Sequence, residues 1–400
     1  MPPALLTILS TTVSAVLSLI AVAWWYIAAW AVICVVWWAI KAERFGITGP
    51  PYLLIYRTSR LNAWIEKLSS RNPIAWRTIW NMGIVTGFGL MILAFDFLIK
   101  NLSLFLTQSP QASPLQPIVA IPGVGVSFET FPYLVVALSI LLASHELSHG
   151  IASLVDHIPL KSTGLIFAHL VMGGFVEPVE EKLNQARNLS KLRVFAAGSF
   201  TNAVLGILVI FLLFNFPSTT ALFYNHGGVT INSISPSLPV HDSGLNVGDV
   251  VTNINGTRIA DVVALRSYMQ SVYPGQRVLL ATPRGNFLVK TSADPSNSTH
   301  ALIGISLDDA YSPKLPFLPA NGPQVVQREE SWLATVLVSV AFINMLPLAP
   351  FDGDKFLETV LNIFGINRTK EIRTIAGSIS LAILLLNFFL SYQRFGFLRF

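Results

Sequence analysis

Uncharged, mostly apolar residues run from position 4 to position 40, well past the ~20 residues that one helical membrane crossing needs. With no Gly or Pro inside it to mark a turn, the stretch predicts one long helix reaching beyond a bilayer, in preference to two short ones. Comparable runs recur at 79–99, 131–155, 194–216, 332–351 and 375–392. The pattern predicts a multi-pass α-helical membrane protein with about six transmembrane helices.

The polar intervals set the direction of these runs. Residues 41–81 carry Lys41, Arg44, Arg57, Arg60, Lys67, Arg71 and Arg77 against two Glu, the signature of a cytoplasmic segment, and read as a partly ordered loop. Basic residues return at Lys161, Lys182, Arg187, Lys191 and Arg193, and again at Lys355, Arg368, Lys370 and Arg373, whereas 101–130 has no Lys or Arg and reads as an outside loop. The apolar segment 165–176 is too short to span and predicts a re-entrant or interfacial hairpin. Residues 217–331 differ in kind: short alternating runs such as Val229-Thr230-Ile231-Asn232-Ser233-Ile234, punctuated by Pro, Gly, Asn and Asp, predict an inserted β-rich domain on the outer side.

Composition agrees with a membrane solvent. The chain is 52% hydrophobic and 12% charged, against about a quarter charged in soluble domains. The net charge of +5 reflects basic inner loops and forms no continuous tract for nucleic acid. The apolar N-terminal run is too long, and lacks the basic start, for a cleavable signal peptide. Asn101, Asn255 and Asn297 head glycosylation sequons on the outer side.

One apolar run carries charge in a pattern, His145-Glu146-Leu147-Ser148-His149. On a helix His145 and His149 share a face, so both imidazoles can hold one metal ion while Glu146 handles protons. Ionisable groups at membrane depth are expensive without such a role or a water-lined cavity. Catalytic zinc takes three protein ligands and leaves a place for water. The single cysteine, Cys34, rules out a disulfide within the chain and a thiolate cluster, so the third ligand is His, Asp or Glu. Asp352 follows a run with the same direction as the histidine run and is the predicted third ligand. Asp354 competes from beside Lys355, and His157 and His169 compete more weakly from the basic segment. Asn344 is the other polar group at depth. Pro347 tends to open the helix there, aiming Asn344 and Asp352 into the site, where Asn344 hydrogen-bonds a substrate peptide, a developing oxyanion or a neighbouring helix. Gly198, Asn202 and Gly206, four residues apart, form a stripe for close helix approach, with Asn202 as a polar handle. Asp96, four residues before Lys100, reads as an interfacial ion pair.

His145-Glu146-Leu147-Ser148-His149-Gly150 together with Asn344-x-x-Pro347-x-x-x-x-Asp352-Gly353 resembles the paired signature of the site-2 protease family of intramembrane zinc metalloproteases. Gly173-Gly174-Phe175-Val176-Glu177-Pro178 and Ala197-Gly198-x-x-x-Asn202 are similar to that family's segments after the first motif. Ser243-Gly244-Leu245-x-x-Gly248-Asp249-Val250-Val251-x-x-Ile254-Asn255-Gly256 resembles the PDZ domains these proteases carry.

The resemblance implies regulated intramembrane proteolysis: hydrolysis within transmembrane segments of other membrane proteins, often after another protease has trimmed them, with Zn2+ as cofactor and the lipid bilayer as surroundings. It also implies a division into N-terminal helices and loop (1–130), a first catalytic part (131–216), an extracytoplasmic PDZ-like domain (217–331) and a second catalytic part with the last helix (332–400). That domain is either a peptide binder at a sheet edge or a spacer and filter. Two other readings stand beside it: a catalytically silent binder of membrane clients, and a metal-dependent transporter.

Overall fold

The computed structural model describes residues 24, 28–39, 41, 44, 47–49, 53–168, 171–294, 297–398 and 400. They form two compact units, one of the residues up to Phe211 and from Arg328 onward, the other Leu212–Gln327. The long helix expected at 4–40 lies mostly outside the described residues. Within it, α1 is the short apolar helix Ala28–Ala39.

In the first unit, β1 (Ile47–Thr48), β2 (Leu53–Thr58) and α2 (Arg60–Ser70) occupy the stretch expected as a partly ordered loop. Basic residues mark a side of the membrane and say nothing against folding. α2 turns Ile65 and Leu68 into an apolar cluster with Ile151 and Val155 and leaves Glu66 and Lys67 exposed. α3 (Pro73–Leu106) starts ahead of the predicted span because Asn72 caps it, accepting the Ala75 N–H at 3.1 Å, and Pro73 opens the first turn. The expected Lys100–Asp96 pair forms at 2.8 Å.

α4 (Phe131–Val155) buries Leu134, Ala137, Leu141, His145, Ser148 and Ala152, a stripe at helical spacing. It is followed by β3 (Leu160–Ala168), β4 (Val171–Pro178), the short α5 (Glu180–Gln185) and α6 (Asn188–Phe214). The 165–176 segment is a hairpin, and specifically a β-hairpin. Leu165 stands opposite Gly174 in β4 and opposite Tyr56 in β2, giving the sheet order β1-β2-β3-β4 with β4 at an edge. A buried charge network ties three helices together. Arg193 of α6 grips both Asp156 oxygens at 2.8–2.9 Å and Asn81 of α3 at 2.8 Å, while Arg77 reaches the Val155 carbonyl at 3.0 Å.

The second unit is β-rich. α7 (Phe216–Thr220) precedes β5 (Tyr224–Ile234), β6 (Val250–Val251), β7 (Asn253–Ile254), β8 (Thr257–Arg258) and α8 (Val262–Met269). Then come β9 (Arg277–Thr282), β10 (Gly285–Lys290), β11 (Ser292–Asp294), β12 (Asn297–Leu302) and β13 (Ile305–Pro313). Three sheets result, ordered β10-β9-β7-β8, β11-β12 and β13-β5-β6. Alternate residues Val229 and Ile231, Val278 and Leu280, with Val251, Ile254 and Val289, fill its core. Asn255 and Gly256 take positive φ at the tight β7–β8 turn, and Asp261 caps α8 through the Ala264 N–H.

Next come α9 (Gly322–Asn344), which enters the first unit at Arg328, α10 (Asp352–Ile363) and α11 (Thr369–Phe395). The predicted span 332–351 is thus broken: the helix stops at Asn344, and a turn holding Pro347 and Pro350 leads into α10. Gly353 permits that turn, since a Cβ there would collide with the Met345 and Leu346 carbonyls. Among the described residues, α3, α4, α6 and α11 are long and apolar enough to cross a membrane, so four helices qualify where the sequence suggested about six. Asn101, one of the sequon residues, is buried and donates to Asn387 of α11 at 3.0 Å and to the Ser113 carbonyl at 3.1 Å, which withdraws it from glycosylation in this fold.

Candidate metal centre

Three donor atoms from two segments converge. His145 and His149 sit one turn apart on the buried face of α4, and Asp352 is the first residue of α10. His145 Nε2 lies 3.1 Å from His149 Nε2 and 3.3 Å from Asp352 Oδ2, and His149 Nε2 lies 3.1 Å from the same oxygen. Ligands about 2.0–2.1 Å from a tetrahedral ion stand about 3.3 Å from one another, so this triangle has the size of a zinc donor set. Among the described residues these three are the one His, Cys and acid group with metal-binding spacing.

The tautomer fits as well. His149 Nδ1 lies 2.7 Å from the Val194 carbonyl oxygen, which can only accept, so the proton sits on Nδ1 and Nε2 presents its lone pair. On its far side His145 faces Asn202 of α6, with the amide 3.0 Å from Nδ1. Asn344, the last residue of α9, donates to Asp352 Oδ2 at 2.6 Å and lies 3.2 Å from His145 Nε2. The break after α9 therefore delivers both polar residues to one point, as the sequence suggested from Pro347.

Glu146 projects elsewhere on α4, half-buried, with Oε2 accepting the Val176 backbone N–H of β4 at 2.9 Å. The neighbouring Glu177 accepts from Lys161 and Ser162, each at 2.7 Å, and these bonds, that of Lys161 foremost, hold its carboxyl below the ordinary range. The competitors are accounted for differently. Asp354 is buried against Arg373 of α11, whose Nε reaches Oδ1 at 2.9 Å, and is not part of the triangle. His157 is exposed just beyond α4, and His169 lies outside the described residues. The Val194 carbonyl and the β4 edge were invisible in sequence terms, because backbone groups leave no residue signature. Gly198 and Asn202 were visible as a stripe, with their neighbour unidentified.

The chain is similar to several known proteins. The model of peptidase family M50 matches residues 133–387. A membrane-bound transcription factor site-2 protease homolog of Arabidopsis thaliana is 30% identical over 142 residues, covering 34% of this chain and 27% of that protein. An uncharacterized protein of Methanocaldococcus jannaschii is 24% identical over 333 residues, 81% of this chain and 80% of its own length. Among solved structures, the PDZ domain of an SdrC-like protein from Listeria monocytogenes is 26% identical, covering 20% of this chain and 88% of that domain with a TM-score of 0.19. The chain belongs to peptidase family M50, the membrane metalloproteases of site-2 protease type.

Proposed function

We propose that this chain is a zinc-dependent intramembrane protease that hydrolyses peptide bonds within transmembrane segments of other membrane proteins. The observation that carries the reading is the triangle of His145, His149 and Asp352 donors, 3.1–3.3 Å apart, in which the helix that supplies both histidines also bears Glu146. These three residues would hold the metal. When bound, such an ion supplies Lewis acidity, polarising the scissile carbonyl and acidifying the attacking water.

The chain's own groups do the rest. Glu146 takes the water's proton and returns it to the leaving amide nitrogen. Asn344 orients the Asp352 carboxylate through its 2.6 Å hydrogen bond and offers an N–H to the developing oxyanion. A helical substrate hides its carbonyls in i→i−4 bonds and must unwind first. β4, an edge strand whose Val176 N–H already meets Glu146, is the natural place for the unwound segment to pair.

The Lys and Arg distribution supports a site toward the cytoplasmic side, with the β-rich unit extracytoplasmic. We take that unit, Leu212–Gln327, for the PDZ-like domain expected at 217–331, between catalytic parts 131–216 and 332–400, with 1–130 preceding them. The chain's substrates are transmembrane proteins, a class that another protease often trims first. The test is cleavage of a transmembrane substrate in proteoliposomes by the native chain and by Glu146→Gln. Product from the native chain alone supports the reading; equal product from both excludes it.

A further inference from the structure

Val194, Gly198 and Asn202 lie four residues apart on α6, and all three meet the histidines of α4. The Val194 carbonyl takes the Nδ1 proton of His149. Gly198 faces the flat of the His145 ring, where a Cβ would fall 2.6 Å from Nδ1, inside the imidazole's own envelope. Asn202 then meets Nδ1 of the same ring at 3.0 Å. A stripe that sequence logic assigns to close helix approach is thus a seat for one ring and a polar contact for it.

Asn202 is completely buried, and with its amide nitrogen turned to His145 its Oδ1 has no hydrogen-bond partner. A buried acceptor without a donor is costly. The oxygen and nitrogen of an amide exchange places by a half-turn of the group, an exchange that hydrogen-bonding logic decides. The orientation with Oδ1 toward Nδ1 partners the orphaned oxygen and fixes the His145 proton on Nδ1. Nε2 then offers its lone pair to the point it shares with His149 Nε2 and Asp352 Oδ2. The alternative tautomer places an N–H there, where no cation can be bound.

We propose that α6 sets the tautomer and ring orientation of both histidines: Gly198 seats the His145 imidazole and Asn202 Oδ1 accepts its Nδ1–H, as the Val194 carbonyl does for His149. The inference rests on the metal reading of His145, His149 and Asp352. Asn202 and Gly198 are positioning residues that touch neither substrate nor ion. A neutral amide suits the place, because it orients the ring without adding a second buried anion beside Asp352.

The experiment is a Co2+ titration of the purified full chain in detergent, read by visible absorption and by chelator competition, with no activity involved. Asn202→Leu, similar in size and without an acceptor, is expected to weaken metal binding about 10–100-fold. Asn202→Asp, whose carboxylate only accepts, is expected to bind at least as tightly as the native chain. Gly198→Ala is expected to weaken binding and alter the cobalt spectrum by displacing the ring. A packing role alone predicts the opposite order, with the buried acid worse than leucine, and that order overturns the proposal. Equal affinity of the native and Asn202→Leu chains overturns it too. Should the leucine variant fail to fold, the Asp variant and 15N shifts of His145 in the metal-free native chain decide: a proton on Nδ1 supports the proposal and one on Nε2 refutes it. A native chain that binds no Co2+ instead removes the underlying metal reading, a result distinct from those above.

Discussion

Glu146 Oε2 accepts the backbone N–H of Val176 at 2.9 Å, so the acid that lies between His145 and His149 in the sequence is held by the edge of the β1–β4 sheet. The N–H that binds it points off the edge, where proline is tolerated in a strand. Val176→Pro therefore removes the contact and leaves the hairpin in place. Cleavage is expected to fall about 10–100-fold from misplacement of the carboxylate, with metal content unchanged. Wild-type turnover in this variant, measured beside its metal stoichiometry, would show that β4 does not position Glu146.

Asp352 and Asp354 separate by partner. Asp352 Oδ2 faces both histidines, whereas Asp354 is buried against Arg373. Asp352→Ala is expected to lose the metal. Asp354→Ala is expected to keep it and to lose about 3–5 kcal/mol of stability, because Arg373 is left largely buried with only Glu358 as partner. Metal analysis and denaturation of the two purified variants check this, and loss of metal from Asp354→Ala alone would reverse the assignment.

Much of the site was legible because its chemistry is written in side chains. The spacing of His145 and His149 requires only a helix, and Asp352 and Asn344 announce themselves as polar groups in apolar surroundings. The fold was less legible where charge and structure carry different information. Residues 41–81 are basic for reasons of topology, yet Ile65 and Leu68 give α2 an apolar face that packs. Residues 332–351 read as one span by composition, while Pro347 and the collision that only Gly353 avoids end α9 at Asn344. The contacts of the Val194 carbonyl and the Val176 N–H left no mark in the sequence, being backbone atoms brought in by the tertiary fold.

Arg193 is the fastener of α3, α4 and α6. It is buried, and its guanidinium satisfies Asp156 and Asn81 at once. Arg193→Met keeps an unbranched apolar stem and removes the guanidinium, leaving Asp156 with Arg77 at 3.4 Å as its ion-pair partner among the described residues. The expected cost is about 3 kcal/mol, the lower end for breaking a buried pair, since Arg77 compensates in part. Thermal denaturation in detergent reads it, and a shift no larger than that of an exposed control such as Lys67→Met would remove Arg193 from this role.

In the β-rich unit, Asp249 is buried while Arg284 reaches over it, Nε to Oδ1 and Nη2 to Oδ2 at 2.5 Å each, and the Asn246 N–H adds a third bond at 2.8 Å. The Arg284 hydrogen bonds, opposed by burial and joined by the Asn246 N–H, hold the Asp249 carboxyl below its ordinary range. A folded-state value lower than the unfolded one means that the stabilisation is complete above the unfolded value near ~3.9 and disappears as pH falls through the folded one. A 13C titration of the Asp249 carboxyl is expected to show a midpoint below that of a free aspartate, and Arg284→Met to move it upward. Denaturation at pH 6 should separate the two chains, and the difference should shrink as the pH is lowered toward 2. A constant difference across that range would mean that Arg284 acts through its packing on Phe287, 5.1 Å from its guanidinium carbon, and not through the Asp249 charge.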